Sequence, residues 1–164
     1  MPGQTGLSKL IAEGSAGTAS GRARRPLGRE AVDMLAEIPL FASLSRRHLG
    51  KIAGAATAKR YAPHSVLVLK GKPADAFYVI LEGTVRVSAP GRKVELGPGD
   101  FFGEMALIDG EPRSASVLAV NEVYAMTIPR AKFLKVLESE PKIALAIMTT
   151  LTRRLRDVQA ATAL

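Results

Sequence analysis

The stretch Phe102-Gly103-Glu104-Met105-Ala106-Leu107 is followed, after five residues, by Arg113-Ser114-Ala115. A carboxylate and a guanidinium thus stand nine positions apart around a segment that fits one helical turn and then a loop. The first N–H groups of such a turn have no intrahelical partners and favour an anion. Arg113 offers a planar fork that matches two phosphate oxygens. Pro112 shortens the loop and fixes the approach to it. Glu104 can accept hydrogen bonds from hydroxyls such as those of a ribose. Together these residues suit the recognition of a phosphorylated sugar. Spacing alone leaves a second option open, in which Arg113 and Glu104 pair with each other at the mouth of a β structure, a contact usually worth little. Neither GxxxxGK nor GxGxxG occurs, so this is not a Walker loop or a dinucleotide fingerprint.

Other reactive groups do not assemble. His48, beside Arg46 and Arg47, reads as part of an exposed helix face, and His64 follows Pro63 in a turn. Two histidines so placed do not make a metal-ligand set. Asp75, Glu82, Asp109 and Glu111 read as solvated turn residues, and the serines lack a His–Asp partner set. Met105, Met126 and Met148 read as core. With no nucleophile, base or metal set, the chain reads as a non-enzyme that needs no cofactor.

The elements around this segment follow from periodicity. Residues 28–38 carry Ala31, Met34, Leu35 and Ile38 at helical spacing, and Pro39 stops that helix. Ser43 or Ser45 then caps a second helix to about Ala53, with Leu49 and Ile52 inward. From Ala55 to Ile128 the period is two. Short strand-like runs alternate with Pro63, Gly71–Pro73, Gly83, Pro90–Gly91 and Gly97–Gly99. That pattern suggests an antiparallel barrel or jelly roll. Helical periodicity returns at 130–137. Pro141 opens a last helix to about Ala160, with Ile143, Ile147, Leu151, Leu155 and Val158 on one side and Leu145, Met148 and Thr152 flanking it. Its apolar surface is wider than one seam needs, so it can cover the barrel, pair with a second copy, or do both.

Length and composition set bounds. The 164 residues make one domain, or one domain and a tail, and 47% hydrophobic content is enough for a core. The absence of cysteine removes disulfides, thiolate metal sites and cysteine nucleophiles. No apolar run suits a membrane span, so a cytoplasmic protein with no membrane partner is expected. Of the net charge of +8, residues 1–29 hold five basic side chains against Glu13, or +4. Residues 1–27, rich in Gly, Ser, Ala and Thr, read as a disordered basic tail. Such a tail suits nucleic acid or an anionic surface, or no specific partner at all. It has no aromatic stacking platform.

The run FGEMALIDGEPRSAS, from Phe102 to Ser116, resembles the phosphate-binding cassette of cyclic-nucleotide-binding domains. These occur in the catabolite activator protein, in the regulatory subunits of cyclic-AMP-dependent kinase and in cyclic-nucleotide-gated channels. The resemblance extends from about Ile38 to Gln159 and includes Pro39–Phe41, the turn from Gly71 to Asp75 leading into Phe77–Gly83, and Leu96–Phe101. It implies a mainly β fold with flanking helices: an antiparallel β-roll or jelly-roll barrel, N-terminal helices, and a C-terminal helix that serves as lid or dimer contact. The domain would occupy 28–162, with helices within 28–53, the roll at 55–128 and helices within 130–160.

The resemblance also implies roles. Phe102 and Gly103 open the cassette, and Gly103 leaves room for ligand. Arg113 would bind the exocyclic phosphate oxygens and Glu104 the ribose 2′-hydroxyl. Ser114 and the Ala115 amide would donate to phosphate. Met105, Ala106 and Leu107 would form the apolar cassette helix packed on the barrel. No cassette position is damaged, so ligand binding is expected to persist. Ser114, as in the catabolite activator protein, favours cyclic AMP over cyclic GMP. Arg154 matches an arginine near the cassette glutamate in similar domains. Read alone, it is equally a solvated cation at a helix end. The chain stops soon after the last helix, so the expectation is a stand-alone sensor without a helix-turn-helix and without specific DNA reading. Ligand would move the last helix, and a second copy or another effector protein would read that movement. The alternatives are a nucleic-acid-associated protein acting through the basic tail, or a scaffold with a vestigial pocket.

Overall fold

The apolar side chains of the N-terminal helices fall on one side, and that side has a sheet to pack on. The computed structural model describes residues 25–26, 30–89 and 92–162. The helical layer is α1 (Glu30–Ala36), a 3-10 turn (Pro39–Phe41) and α2 (Arg46–Ala55). Pro39 opens the 3-10 turn, where its missing N–H is not needed. Ser45 caps α2, its side chain accepting a hydrogen bond from the His48 N–H at 3.3 Å.

The middle of the chain folds into two antiparallel sheets that together make a β-roll. One sheet runs, in spatial order, β1 (Arg25–Pro26), β2 (Thr57–Tyr61), β9 (Val123–Pro129), β4 (Ala76–Glu82) and β7 (Phe101–Phe102). The other runs β3 (Val66–Val68), β8 (Ser116–Ala119), β5 (Val85–Ala89) and β6 (Arg92–Leu96). Gly83 turns β4 into β5 at φ +89°, and a Cβ there would collide with the Glu122 carbonyl. Residues 1–24, most of the stretch read as a basic tail, lie outside the described residues. Its end differs from that reading: Arg25 and Pro26 pair with Ala58 and Thr57.

The first sheet is buried on both faces, so β4 reads as a continuous apolar run. Its alternate residues divide the core in two. Phe77 and Val79 face the helical layer with Phe41, Ile52, Met126 and Phe133. Tyr78 and Ile80 face the inside of the roll with Val85, Phe102, Val117 and Val123. Phe101 and Phe102 split in the same way, so β7 crosses from one core to the other just before the cassette segment.

Two helices close the chain, α4 (Arg130–Ser139) and α5 (Pro141–Thr162), joined at the single residue Glu140. Phe133, Ile143 and Ile147 anchor them in the first core. Among the described residues no helix is long and apolar enough to cross a membrane.

Candidate functional site

β7 ends at Gly103, whose φ of +89° turns the chain sharply into α3 (Glu104–Asp109). A second left-handed glycine, Gly110, closes this six-residue helix. The anion-favouring field expected of such a short helix is small beside the full charge of a guanidinium. The chain then returns to Arg113, whose backbone is fixed to the Gly71–Lys72 turn. The Arg113 N–H donates to the Lys72 carbonyl at 2.9 Å, and the Gly71 N–H donates to the Arg113 carbonyl at 2.8 Å.

The Arg113 side chain lies inward and is only 4% exposed. Nη1 donates to the Gly103 carbonyl at 2.8 Å, and Nη2 to the Ala76 carbonyl at 2.7 Å and to Asp75 Oδ1 at 3.3 Å. The guanidinium carbon lies 5.9 Å from the centroid of the Tyr78 ring, which stacks on Phe102. Three hydrogen bonds from five N–H groups leave two donors for a ligand.

Glu104 does not pair with Arg113, so the mutual ion pair left open by spacing is not formed. Its Oε1 accepts from Arg154 Nη1 at 3.0 Å, and Arg154 Nη2 donates to the Phe101 carbonyl at 2.7 Å. The Arg154 guanidinium also covers the Phe101 ring at 5.0 Å. Arg154 is therefore no solvated helix-end cation; it joins α5 to the start of the cassette. Glu104 is 2% exposed, and its Oε2 is buried without a hydrogen-bond partner among the described residues. Burial raises its pKa, and the nearby charge of Arg154, its own backbone N–H and, last, Arg113 offset part of that rise.

Arg113, Glu104 and Arg154 all line one cavity of about 410 Å³, within the range of small-molecule sites. Phe102, Gly103, Met105, Ala106, Ser114 and Ala115 line it too, while Leu107 of the cassette helix packs into the core instead. Four details differ from expectation. Met105 is 53% exposed at the rim and Met148 is 54% exposed on α5, so only Met126 of the three is core. Of the cassette helix, Ala106 and Leu107 are the buried part. Asp75, read as a solvated turn residue, is exposed but accepts from Arg113. His48, read as part of an exposed face, is half-buried with Nε2 3.2 Å from Glu140 Oε1.

Sequence reasoning missed the apolar walls Val68, Val87, Val94, Leu96 and Val117, and also Asp157 at the rim. The inward phase of β3, β5, β6 and β8 was the available signal for the walls. Asp157 follows Arg154 by three positions, so both fall on one face of α5.

Comparison with known proteins agrees with this geometry. Residues 58–140 match the model of the cyclic nucleotide-binding domain. The chain belongs to that family. It is 42% identical over 111 residues to a cyclic nucleotide-gated potassium channel of Mesorhizobium japonicum, covering 68% of this chain and 31% of the channel. It is 40% identical over 109 residues to a cAMP-dependent protein kinase regulatory subunit of Aspergillus fumigatus, covering 63% and 26% of the two chains. The chain thus spans about a third or less of these curated relatives. Among solved structures, the catabolite activator protein of Thermus thermophilus superposes with a TM-score of 0.66 at 29% identity, over 75% of this chain and 61% of that one. The cyclic-nucleotide-binding domain here is an antiparallel two-sheet β-roll with flanking helices and a long C-terminal helix.

Proposed function

We propose that this chain is a non-enzymatic sensor that binds cyclic AMP in preference to cyclic GMP and signals through the position of α5. One observation carries the reading: the unpartnered, buried Oε2 of Glu104 lies at the same cavity as Arg113. Leaving a buried carboxylate oxygen unsatisfied is costly, and a ribose hydroxyl would satisfy it. The two remaining N–H donors of Arg113, with Ser114 and the Ala115 amide, suit the cyclic phosphate. The cAMP-dependent kinase subunit named above supports cyclic AMP as the ligand, and the channel supports a cyclic nucleotide in general.

Arg154 supports the signalling part. It is the residue of α5 that reaches Glu104, so ligand at Glu104 and the pose of α5 are coupled through one carboxylate. The exposed face of α5 would then be read by a second copy of the chain or by an effector protein.

Calorimetric titration with cyclic AMP, cyclic GMP and linear 5′-AMP tests the reading. Micromolar binding of cyclic AMP, weaker binding of cyclic GMP and little binding of 5′-AMP are expected. No heat from either cyclic nucleotide would overturn it.

A further inference from the structure

A contact outside the pocket lies at the base of the helix that carries Arg154 to it. Glu140 is the only residue between α4 and α5, and it is buried. Its N–H donates to the Val136 carbonyl at 2.8 Å, and its own carbonyl accepts from the Ile143 N–H at 3.0 Å. Glu140 thus ends one helix and starts the next, so any tilt of its backbone carries α5 with it. Its side chain meets one ionisable group among the described residues: His48, with Nε2 3.2 Å from Oε1. His48 belongs to α2, in the N-terminal layer, and its backbone N–H is held in turn by the Ser45 hydroxyl.

We infer that the His48–Glu140 contact is a positioning device that sets the α4–α5 joint and, through it, holds Arg154 over Glu104. The length of α5 gives this joint leverage over Arg154. Arg154 follows Glu140 by fourteen residues, about 21 Å along a helix. A tilt of about 10° at the joint would move Arg154 by roughly 4 Å, beyond hydrogen-bond reach of Glu104. Ile143 and Ile147, with the partly buried Ala146 and Leu151 packed beside them, hold the first three turns of α5. Beyond Leu151 its side chains are exposed apart from Arg154. The outer part of the helix is therefore aimed by the joint and the packed inner turns, and among the described residues the Arg154 hydrogen bonds to Glu104 and Phe101 tie it to the cassette. The contact also ties that aim to the N-terminal helices, which no reading of the pocket by itself would include.

This inference rests on the nucleotide-binding reading for its effect on affinity, but not for its effect on α5. The experiment uses both. The chain has no cysteine, so spin labels at Gln159→Cys on α5 and Lys93→Cys on β6 report the helix position without background reaction. Distance distributions are measured in this labelled parent, in His48→Ala, in Glu140→Gln and in the double variant, each checked for folding by circular dichroism. Cyclic AMP affinity is measured in the same four backgrounds without labels.

Each single variant should broaden the label distance and weaken cyclic AMP by about two- to fivefold, the range of a partly exposed pair. The double variant should be no weaker than either single one, because the same contact is lost once. Unchanged distance distributions would overturn the inference, as would additive affinity losses. A purely structural pair would lower unfolding midpoints while leaving labels and affinity alone. If the parent binds no cyclic nucleotide, the sensor reading fails, and the label distances alone decide the role of His48.

Discussion

Glu104 is the most informative single residue because its surroundings disagree about its charge. Burial favours the neutral acid, while Arg154, its own N–H and Arg113 favour the carboxylate, and burial prevails. The folded protein therefore holds this proton more tightly than the unfolded chain does. Relative to the ionised form, the stabilisation is fully present below the unfolded pKa and is lost as pH rises through the raised folded pKa. Glu104→Gln should remove that acid-side gain, read as a urea midpoint that changes less with pH than the parent's. A ribose hydroxyl donating to Oε2 favours the carboxylate, so binding should release a proton where Glu104 is partly protonated. Cyclic AMP affinity should fall on mild acidification in the parent and stay flatter in Glu104→Gln. Calorimetry in two buffers of different ionisation heat checks the proton count; equal proton release in both proteins would refute it. Arg113 carries a second prediction. Arg113→Ala strands the Gly103 and Ala76 carbonyls as well as the ligand phosphate, so it should cost at least about tenfold in affinity and also lower stability. Undiminished binding by the folded variant would show that the phosphate lies elsewhere.

At the scale of elements, the turn from β7 into α3 is where backbone geometry and site chemistry meet. A Cβ on Gly103 would lie 2.7 Å from Arg113 Nη1, and φ +89° strains any L side chain. Gly103→Ala should therefore destabilise the fold by about 1–3 kcal/mol and displace the guanidinium, which a paired melting and titration experiment reads together. Affinity equal to the parent's would mean that Arg113 need not hold this pose. The same region shows what the sequence makes legible. Helices and longer strands follow from periodicity: Ile143 and Ile147 mark the inner face of α5, and the β5–β6 hairpin falls where its turn residues predict. The two residues of β7 are too few to show a period, and β1 lay within a stretch whose composition suggests no strand. The partners of Arg113 were also hidden. They are the carbonyls of Gly103 and Ala76 and the carboxylate of Asp75, brought together only by the crossing of β7, β4 and the Gly71–Asp75 turn. Nor could spacing separate an Arg113–Glu104 pair from two independent contacts, because Arg154, fifty positions from Glu104 in sequence, decides the matter.

At the scale of the whole molecule, α5 carries an apolar row that the packing of the described residues leaves uncovered. Leu145, Met148 and Leu155 are each more than half exposed on α5, at spacings of three and seven. Ile143 and Ile147 face the core, and among the described residues these three side chains do not join it. Spacings of three and seven are those of a helix seam, and a second copy would present the same row in return. If a second copy reads α5, the parent should sediment as a dimer. The variant Leu145→Glu, Met148→Glu should then run as a monomer with an unchanged melting temperature and near-normal cyclic AMP affinity, because neither residue lines the cavity. The contrast with Arg154 is what gives the test its force. One face of the same helix closes the pocket and another is free to report it, so association and ligand binding should separate by mutation while remaining linked in the parent. Cyclic AMP should accordingly shift the parent's dimerisation constant, and the dimer should bind cyclic AMP with a correspondingly altered affinity. A parent that stays monomeric at about 100 μM, with and without cyclic AMP, would assign this face to an effector of different sequence, since a self-complementary apolar seam would already associate at that concentration.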